Sequence, residues 1–233
     1  MEALNNEKPI DKLFVKKGEI DGSVRVIVAK ARQRGIVVSE AAKQKLDDFA
    51  EGGNHQGVVA LCPAHEYCEV GDIIKIARDK GEEPFIIILD EIFDPHNLGA
   101  IIRTACAAGA HGVIIPKRRA AGLTSIVVKA SAGATEYVPV ARVNNIANVI
   151  DDLKGQNIWV ACADLAGQDM YDAPLTGAVA VVIGSEGGGV RSLVRDRCDF
   201  AVKIPMFGKI PSLNASVATA VIMYEVVRRR GLK

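Results

Sequence analysis

The segment spanning residues 94–105 places two polar side chains, Asn97 and Arg103, among small and apolar residues. Asn97 is of a type that caps helices, and Arg103 follows six residues later, nearly two turns along a predicted helix. A cation among apolar neighbours needs a partner, so Arg103 is a candidate for holding a polar or charged ligand. Helix capping and a structural ion pair also account for these residues, so this segment alone does not identify a site.

A glycine-rich loop with a central carboxylate follows an apolar strand-like stretch within residues 181–190. Glycines in such a loop let backbone amides approach a ligand closely. The loop is not a dinucleotide-binding G-x-G-x-x-G, because Glu186 stands where the second glycine would be if Gly184 were the first. It also lacks the Gly-Lys-Ser/Thr of a P-loop. A carboxylate repels phosphate, so the loop predicts a ligand with hydroxyl groups or positive charge. A tight turn with a helix cap would explain the glycines but not Glu186.

Hydrogen-bonding side chains also stand at the start of the last predicted helix, within residues 204–218. An excursion enclosed by two prolines carries Lys209 at its tip, and three polar residues follow it: Ser212, Asn214 and Ser216. A helix N-terminus with hydroxyl groups and a nearby lysine suits a phosphate or a carboxylate. Ordinary helix capping by Ser212 is the alternative interpretation.

Strands and helices alternate from residue 85 onwards, which predicts an α/β domain with a parallel sheet covered on both faces. The predicted strands are residues 85–89, 112–115, 137–140, 158–163, 178–183 and 200–204, and the predicted helices are residues 98–108, 124–132, 145–153 and 213–230. In such sheets ligands lie at the carboxyl ends of the strands. We therefore expect the chemistry in the loops after Leu89, Ile183 and Ile204, which contain the three segments above.

The part of the chain before residue 76 predicts a small α/β unit. Its predicted elements are strands at residues 11–15, 24–30 and 57–61, a helix at 39–49 and helix-like residues at 1–5. The first of these strands is expected to lack an upstream partner. A charged stretch bounded by glycine and proline then predicts a linker. We expect a first domain at residues 1–75, a linker at 76–84 and a second domain at 85–233.

The composition excludes several classes of protein. The 233 residues carry 29 Lys+Arg and 28 Asp+Glu, so the chain is not a polyelectrolyte, and its net charge of +1 does not reveal a partner. The hydrophobic content of 49% is that of a globular chain, and the apolar runs are too short for a membrane span or a signal peptide, which predicts a cytosolic protein. The scattered cysteines fit a reducing compartment. Cys62, His65 and Cys68 cluster without a second pair of ligands, so no zinc site is expected.

The three segments together resemble the signature motifs of the SpoU (TrmH-like) RNA ribose methyltransferases in order and spacing. The similarity extends over roughly residues 85–230, and residues 90–109 with 117–119 look closest to the branch that methylates a guanosine of 23S ribosomal RNA. The resemblance implies a SPOUT fold, in which the C-terminal segment forms a trefoil knot that holds S-adenosylmethionine, the methyl donor. It also implies a homodimer with a substrate site built from both subunits. Residues 1–75 resemble the family's RNA substrate-binding module, here expected to be shortened at its N-terminus.

The same resemblance assigns roles to individual residues. It implies catalytic residues at Asn97, Arg103, Glu186, Ser212 and Asn214, and S-adenosylmethionine-binding residues at Gly184, Glu186, Gly187, Ile204, Met206, Leu213 and Ser216. The candidate contacts to the RNA backbone are Lys117, Arg118, Arg119, Arg191 and Arg195, although short basic runs are more often solvated surface. A guanidinium stays charged up to roughly pH 12. We therefore expect Arg103 to position the RNA and to stabilise a developing alkoxide rather than to act as the base.

Other functions remain open. Transfer RNA 2′-O-methyltransferases carry the same three motifs, and a non-catalytic RNA-binding protein could retain the same fold. The presence of Asn97, Arg103, Glu186 and Asn214 at the motif positions argues against the non-catalytic alternative. A nucleotide-dependent oxidoreductase is disfavoured because the glycine pattern does not fit a dinucleotide.

Overall fold

The computed structural model describes Leu4 and residues 10–18, 21–50, 53–63, 66–209 and 212–231. The chain divides into two compact units, Met1–Glu66 and Tyr67–Lys233, each with its own sheet. The helix-like residues expected at 1–5, apart from Leu4, lie outside the described residues, as does His65. Within the described ranges, no helix is long and apolar enough to cross a membrane.

The first unit is built on a three-stranded sheet in the order β2-β1-β3. Its strands are β1 (Lys12–Lys16), β2 (Val37–Ala41) and β3 (Val58–Leu61), and its helices are α1 (Gly22–Gln33) and α2 (Lys43–Ala50). Strand β1 lies in the centre, parallel to β2 and antiparallel to β3. Both partners of β1 therefore come from later in the chain, and no upstream strand is needed to flank it.

Residues 24–30, predicted to form a strand, lie instead in helix α1. The β-branched residues of this segment favour a strand by local propensity. In the folded unit, however, Val24, Val28 and Ala31 recur at helical spacing and pack into one buried cluster with the inner residues of β1. Burial of this helical face outweighs the local preference.

The helix predicted at residues 39–49 is likewise shorter and begins at Lys43. The residues before it form β2, in which Ser39 lies opposite Phe14 of β1. Pairing with the central strand decides the conformation here, because it satisfies backbone groups that a helix would otherwise pair internally.

The second unit holds a six-stranded sheet in the order β6-β5-β4-β8-β7-β9, with all neighbours parallel. Its strands are β4 (Phe85–Asp90), β5 (Gly112–Pro116), β6 (Val140–Val143), β7 (Trp159–Asp169), β8 (Val179–Gly184) and β9 (Phe200–Lys203). Its helices are α3 (Val70–Asp79), α4 (Pro95–Ala107), α5 (Ser125–Ala130), α6 (Ile146–Lys154), α7 (Ser192–Arg195) and α8 (Ala215–Arg229), and a 3-10 helix spans Ala134–Glu136. The predicted parallel α/β sheet is confirmed, whereas the trefoil knot stays a prediction.

Helices cover both faces of this sheet, which explains why its strands are apolar along their whole length. In β4, Phe85, Ile87 and Leu89 belong to a core shared with α4, α5 and α8. Ile86 and Ile88 belong to a second core shared with α3, α6 and α7. Each side chain of this size contributes about 1.5–3 kcal/mol to stability through burial. Strand β4 is therefore held firmly on both faces and provides a rigid base for the loop that follows it.

Helix α3 belongs to the second unit, although the sequence analysis assigned its residues to the first domain and to a linker at 76–84. Ile73 is fully buried against Gly112 of β5, where a Cβ atom would lie 2.5 Å from Cδ1 of Ile73. Ile74 is buried beside it. The apolar face of α3 requires the second sheet to cover it, so the boundary between the units falls before this helix.

Strand β6 begins at Val140 rather than at residue 137. The 3-10 helix precedes it and leaves Tyr137 exposed, and Val140 pairs with Val113 of β5. Strand β7 extends further than predicted, to Asp169. Residues of this extension line one side of the site, which the sequence analysis did not include.

The two helices that frame the site begin at caps other than those predicted. Helix α4 is capped by Asp94, whose carboxylate accepts the backbone N–H of His96 at 2.8 Å, and Asn97 lies inside the helix. Helix α8 is capped by Asn214 rather than by Ser212. The side chain of Asn97 is therefore not used as a cap and is available for other contacts.

Candidate functional site

A cleft of about 630 Å³ opens where β7, β8 and β9 end and α8 begins. This is the edge at which a parallel sheet usually binds its ligand, and the volume is that of a small-molecule site. The residues named in the sequence analysis that line the cleft are Gly184, Glu186, Gly187, Ile204, Met206, Ser212, Leu213 and Asn214. Most of the predicted cofactor-binding residues are thus brought together on one surface.

The glycine loop that follows β8 is closed at its base. Ser185 and Gly189 exchange two backbone hydrogen bonds, with N···O distances of 3.1 and 2.9 Å. A Cβ atom on Gly184 would lie 2.0 Å from the carbonyl carbon of Gly189, so no larger residue fits there. Gly187 has a φ of 79°, which favours glycine. The narrow base leaves Glu186 near the outer end of the loop, where its side chain is exposed toward the cleft.

Glu186 is held by residues from both of the other motifs. Its Oε1 atom accepts hydrogen bonds from Nδ2 of Asn97 at 2.9 Å and from Nδ2 of Asn214 at 2.6 Å. The backbone N–H of Ala215 lies 3.3 Å from the same oxygen. Asn97 is nearly buried, at 9% exposure, so this contact is shielded from water on one side. Three predicted catalytic residues therefore form one hydrogen-bonded cluster at the cleft.

Asn214 also caps helix α8, and this contact fixes the orientation of its side-chain amide. Its Oδ1 atom accepts the N–H of Ser216 at 2.9 Å and the hydroxyl of Ser216 at 2.6 Å, which caps helix α8. Because the oxygen faces the helix, the NH2 group must face Glu186 and Asn97. Ser216, a predicted cofactor-binding residue, does not line the cleft and acts on it through Asn214.

Arg103 lies apart from this cluster. It is exposed on α4, and six residues of helix turn its side chain by about 240° from that of Asn97. It does not line the cleft, and it forms no hydrogen bond or ion pair with the part of the chain that the structure describes. Water therefore solvates the guanidinium of Arg103 in the single chain, and its predicted role toward a ligand stays a prediction.

The five basic residues predicted to contact RNA fall into two groups. Lys117 and Arg118 are exposed just after β5. Arg119, Arg191 and Arg195 are each paired with a carboxylate: Arg119 with Glu91 at 2.9 Å, Arg191 with Asp90 at 2.6 Å and Arg195 with Asp164 at 3.2 Å. The charge of the second group is already compensated within the fold.

The pair of Arg191 and Asp90 is the strongest of these contacts. Asp90 is fully buried at the end of β4, and the guanidinium donates to both of its carboxylate oxygens. This hydrogen bonding raises the pKa of Arg191 above its ordinary value. A two-pronged contact of this kind has a defined geometry as well as a charge.

The sequence analysis missed the wall of the cleft that β7 supplies. Asp164 and Leu165 lie there, and the Arg195 side chain completes it. A bulge in β7, where the pairing to β9 shifts between Ala163 and Gln168, turns these residues toward the cleft. The predicted strand at 158–163 also had a carboxyl end, so the rule used for the other strands could have found this wall.

Comparison with known families decides how this arrangement is classified. The profile of the SpoU rRNA methylase family matches residues 84–224, and the profile for RNA 2′-O ribose methyltransferase substrate binding matches residues 1–68. The chain belongs to the SpoU rRNA methylase family. The first match contains every residue that lines the cleft, and the second contains the three-stranded sheet.

This SpoU methylase is 47% identical over 231 residues to YacO of Bacillus subtilis (strain 168), which is named as a TrmH family tRNA/rRNA methyltransferase; the match covers 99% of this chain and 92% of YacO. It is 45% identical over 230 residues to a protein of the same family name from Staphylococcus haemolyticus (strain JCSC1435), with 98% and 92% covered. These relatives confirm the predicted family, and their names leave open both tRNA and rRNA.

Solved structures of related proteins show the same fold. The SpoU methyltransferase AviRb from Streptomyces viridochromogenes, in complex with AdoMet, superposes on this SpoU methylase with a TM-score of 0.63 at 28% identity, covering 97% of this chain and 85% of AviRb. The AdoMet-bound rRNA methyltransferase from Sinorhizobium meliloti gives a TM-score of 0.60 at 27% identity, covering 97% and 83%. The predicted combination of a parallel-sheet methylase domain and a substrate-binding domain is confirmed.

Proposed function

We propose that this SpoU methylase transfers a methyl group from S-adenosylmethionine to a ribose 2′-hydroxyl of RNA. The observation that carries the proposal is the hydrogen-bonded cluster of Asn97, Glu186 and Asn214 beside the cleft. It joins Asn97 in the first turn of α4, Glu186 in the glycine loop and Asn214 at the N-cap of α8. Such an arrangement holds a carboxylate in a fixed position without neutralising it, which suits the orientation of a polar substrate.

The residues of the cleft fit S-adenosylmethionine as methyl donor. Apolar side chains from Met206 and Leu213 offer a surface for an adenine ring, and the glycine loop exposes backbone groups for its polar edge. The carboxylate of Glu186, which accepts from neutral amide groups, favours a ligand that carries a positive charge, as a sulfonium does. We propose that backbone groups of Gly184, Ile204 and Leu213 hold the adenosyl portion.

The chemistry of the transfer sets what the protein must do. When bound, S-adenosylmethionine would supply an electrophilic methyl group, which would pass to the 2′-oxygen while the electron pair of the carbon–sulfur bond stayed on sulfur and the hydroxyl proton was released to solvent. The 2′-hydroxyl is a poor nucleophile, so Asn97 and Glu186 must orient it and the occupied cleft must exclude water from the reacting atoms. Arg103 binds an RNA phosphate and stabilises the developing alkoxide, because a guanidinium remains protonated throughout.

The position of Arg103 supports a site completed by a second subunit. Its side chain is exposed and does not line the cleft of its own chain. Val217 and Tyr224 are exposed on α8 at helical spacing, by 48% and 52%, and Leu213, which precedes the helix, is exposed by 37%. We propose a homodimer in which Arg103 of one subunit serves the cleft of the other.

The RNA proposed as substrate is 23S ribosomal RNA, methylated at a guanosine in the cytosol. The resemblance of the first motif to that branch supports this choice, and the names of the relatives allow transfer RNA as the alternative. A non-catalytic RNA-binding protein is the second alternative, and the intact cluster around Glu186 argues against it.

Transfer of labelled methyl from S-adenosylmethionine to unmodified 23S ribosomal RNA and to transfer RNA tests the proposal, with the modified ribose mapped afterwards. Label on one guanosine of ribosomal RNA is the expected result. Label on transfer RNA would keep the reaction and overturn the substrate. Binding of both S-adenosylmethionine and RNA without transfer would overturn the proposed activity in favour of an RNA-binding role.

A further inference from the structure

The carboxylate of Asp90 is the most completely enclosed charge beside the site. It is fully buried and accepts from Nε of Arg191 at 2.9 and 3.1 Å, from the terminal NH2 at 2.6 Å and from the backbone N–H of Arg191 at 3.0 Å. A carboxylate in such a place is stable only while these donors stay in position. The contact therefore fixes both the side chain and the backbone of Arg191.

Arg191 is placed where that restraint acts on the glycine loop. It follows Val190, a buried residue, and Gly189, which is bonded to Ser185 across the base of the loop. On the other side of the loop, Gly184 lies directly opposite Asp90 in the pairing of β8 with β4. Both ends of the loop are thus attached to the same residue of β4, one through the sheet and one through the ion pair.

A second carboxylate extends this attachment to the next loop. Glu91 has a φ of 66°, unusual for a residue other than glycine, and its side chain is nearly buried. Its Oε1 atom lies 3.4 Å from Nε of Arg191 and 2.9 Å from Nε of Arg119. The loops after β4, β5 and β8 are therefore linked by two carboxylates and two guanidinium groups.

We propose that Arg191 is a positioning residue whose contact with Asp90 holds the glycine loop so that Glu186 meets Asn97 and Asn214, and that it is not a ligand of RNA phosphate. This inference rests on the proposed methyl transfer. The loop contains Gly187 and Gly188 in its outer part and Gly189 at its base, so without a fixed end it would sample many conformations. Asn97 extends from the helix that follows β4, so the same strand positions both members of the Asn97–Glu186 contact.

The test compares Arg191→Gln, Asp90→Asn and the double variant in the full chain. Steady-state methyl transfer gives kcat and the KM for RNA, and amide hydrogen exchange reports the mobility of residues 185–189. Each single variant is expected to lower kcat by about 10- to 100-fold through misplacement of Glu186, with the KM for RNA unchanged. The double variant should be no worse than either single variant, because the two residues act as one unit.

A comparison of Tm with kcat distinguishes a positioning role of Arg191 from a merely structural one. Arg191→Gln leaves the buried carboxylate of Asp90 without its cation, so its Tm should fall, and the double variant should recover much of that loss by removing both charges. A positioning role predicts that kcat does not recover with the Tm. Arg197→Gln is the control for loss of a half-exposed arginine, because the side chain of Arg197 is 49% exposed against 45% for Arg191 and pairs with the exposed Asp151 outside the cleft.

Other results would overturn the inference. If Arg191 contacts RNA, Arg191→Gln raises the KM for RNA and reduces the salt dependence of binding by about one unit of slope, while Asp90→Asn does neither. Unchanged exchange at residues 185–189 in both single variants would overturn it as well. If the wild-type chain transfers no methyl group, the proposed function fails, and hydrogen exchange still decides whether the pair restrains the loop.

Discussion

Nδ2 of Asn214 donates to Oδ1 of Asn97 over 3.1 Å, although 117 residues separate the two in the chain. Both amides also donate to Oε1 of Glu186, so the three side chains form a closed triangle. Asn97 lies in the first turn of α4, Glu186 in the glycine loop and Asn214 at the N-cap of α8. Because Glu186 supplies the one charged group of this triangle and both amides donate to it, the cluster is sensitive to any change of charge.

We predict that Asn97→Asp abolishes most methyl transfer and destabilises the chain. The new carboxylate would lie within hydrogen-bond distance of Glu186 with no N–H between them, and its burial would add to the repulsion. The free energy of unfolding should fall by about 1–3 kcal/mol. Urea unfolding and methyl transfer measure the two effects. Asn145→Asp, the same change at the cap of α6, is the control and should alter neither, since aspartate caps equally well.

Arg103→Lys should leave the fold intact and reduce methyl transfer strongly. Arg103 is exposed, so its replacement is expected to change the free energy of unfolding by no more than about 0.5 kcal/mol. Lysine keeps the positive charge but cannot form the bidentate hydrogen bonds that a guanidinium makes to a phosphate. Single-turnover transfer and thermal unfolding provide the comparison, with Arg78→Lys on α3 as control. Activity of Arg103→Lys close to the wild-type value would contradict the assigned role.

Gly184→Ala is predicted to prevent closure of the glycine loop. The added methyl group would lie 2.0 Å from the carbonyl carbon of Gly189, so the backbone must shift. We expect loss of S-adenosylmethionine binding together with a destabilisation of about 1–3 kcal/mol. Calorimetric titration with S-adenosylmethionine measures the first effect. Gly208→Ala is the control because a Cβ atom there has no neighbour within 4 Å, and equal binding by both variants would contradict the prediction.

Lys117→Gln and Arg118→Gln should weaken RNA binding uniformly across RNA sequences. Both residues are exposed just after β5. Each substitution is expected to reduce the slope of log affinity against log salt by about one unit. Filter binding at several salt concentrations measures the slope. The control is Lys75→Gln, which replaces an exposed lysine on α3. Slopes of the Lys117 and Arg118 variants that match the wild type would show that these two residues do not contact RNA.

The stability of the second unit should decrease as the pH falls below neutrality because of His111. Its Nδ1 atom accepts the N–H of Phe85 at 3.0 Å, and Nε2 lies 3.0 Å from Glu82. Burial lowers the pKa of His111 below its ordinary value of 6.5. Between that value and the lower folded-state pKa, the unfolded chain binds more protons, so the free energy of unfolding falls as the pH drops through this window.

Urea unfolding at a series of pH values from about 7 to 5 tests this dependence. His111→Gln should be less stable at neutral pH and should show a flatter profile, because the titrating ring is gone. The same substitution at the exposed His96 is the control. A profile of His111→Gln as steep as that of the wild type would assign the pH dependence to other groups.

The buried strands of the second unit were predictable because the signal for them is local. Residues 85–89 and 178–183 are continuous apolar runs, and such runs between helical segments indicate a parallel sheet. The first unit was harder to predict. The β-branched residues of α1 indicate a strand, and the helix forms only because Val24, Val28 and Ala31 find a sheet to cover.

The candidate site was predictable in its residue types but not in its connections. Glu186 stood out because a carboxylate at the centre of a glycine loop has no explanation in turn geometry. The pairing of Arg191 with Asp90 could not be foreseen, because 101 residues separate them and many basic residues lie nearby in the sequence. The same holds for Arg119 and Arg195, which the sequence alone could not distinguish from solvated cations.

The sequence by itself determined the parallel α/β class, the family and the three segments at which we expect the chemistry, because hydrophobic patterns and short motifs act over a few residues. Only the tertiary structure decided which of those residues meet. Strands far apart in the chain become neighbours in the order β4-β8-β7, and the side chains at their ends then compete for partners in a small, partly dry volume. In that volume the positions of donors and acceptors decide which contacts form. Asn97 donates to Glu186 and Arg191 donates to Asp90, whereas Arg103 remains exposed.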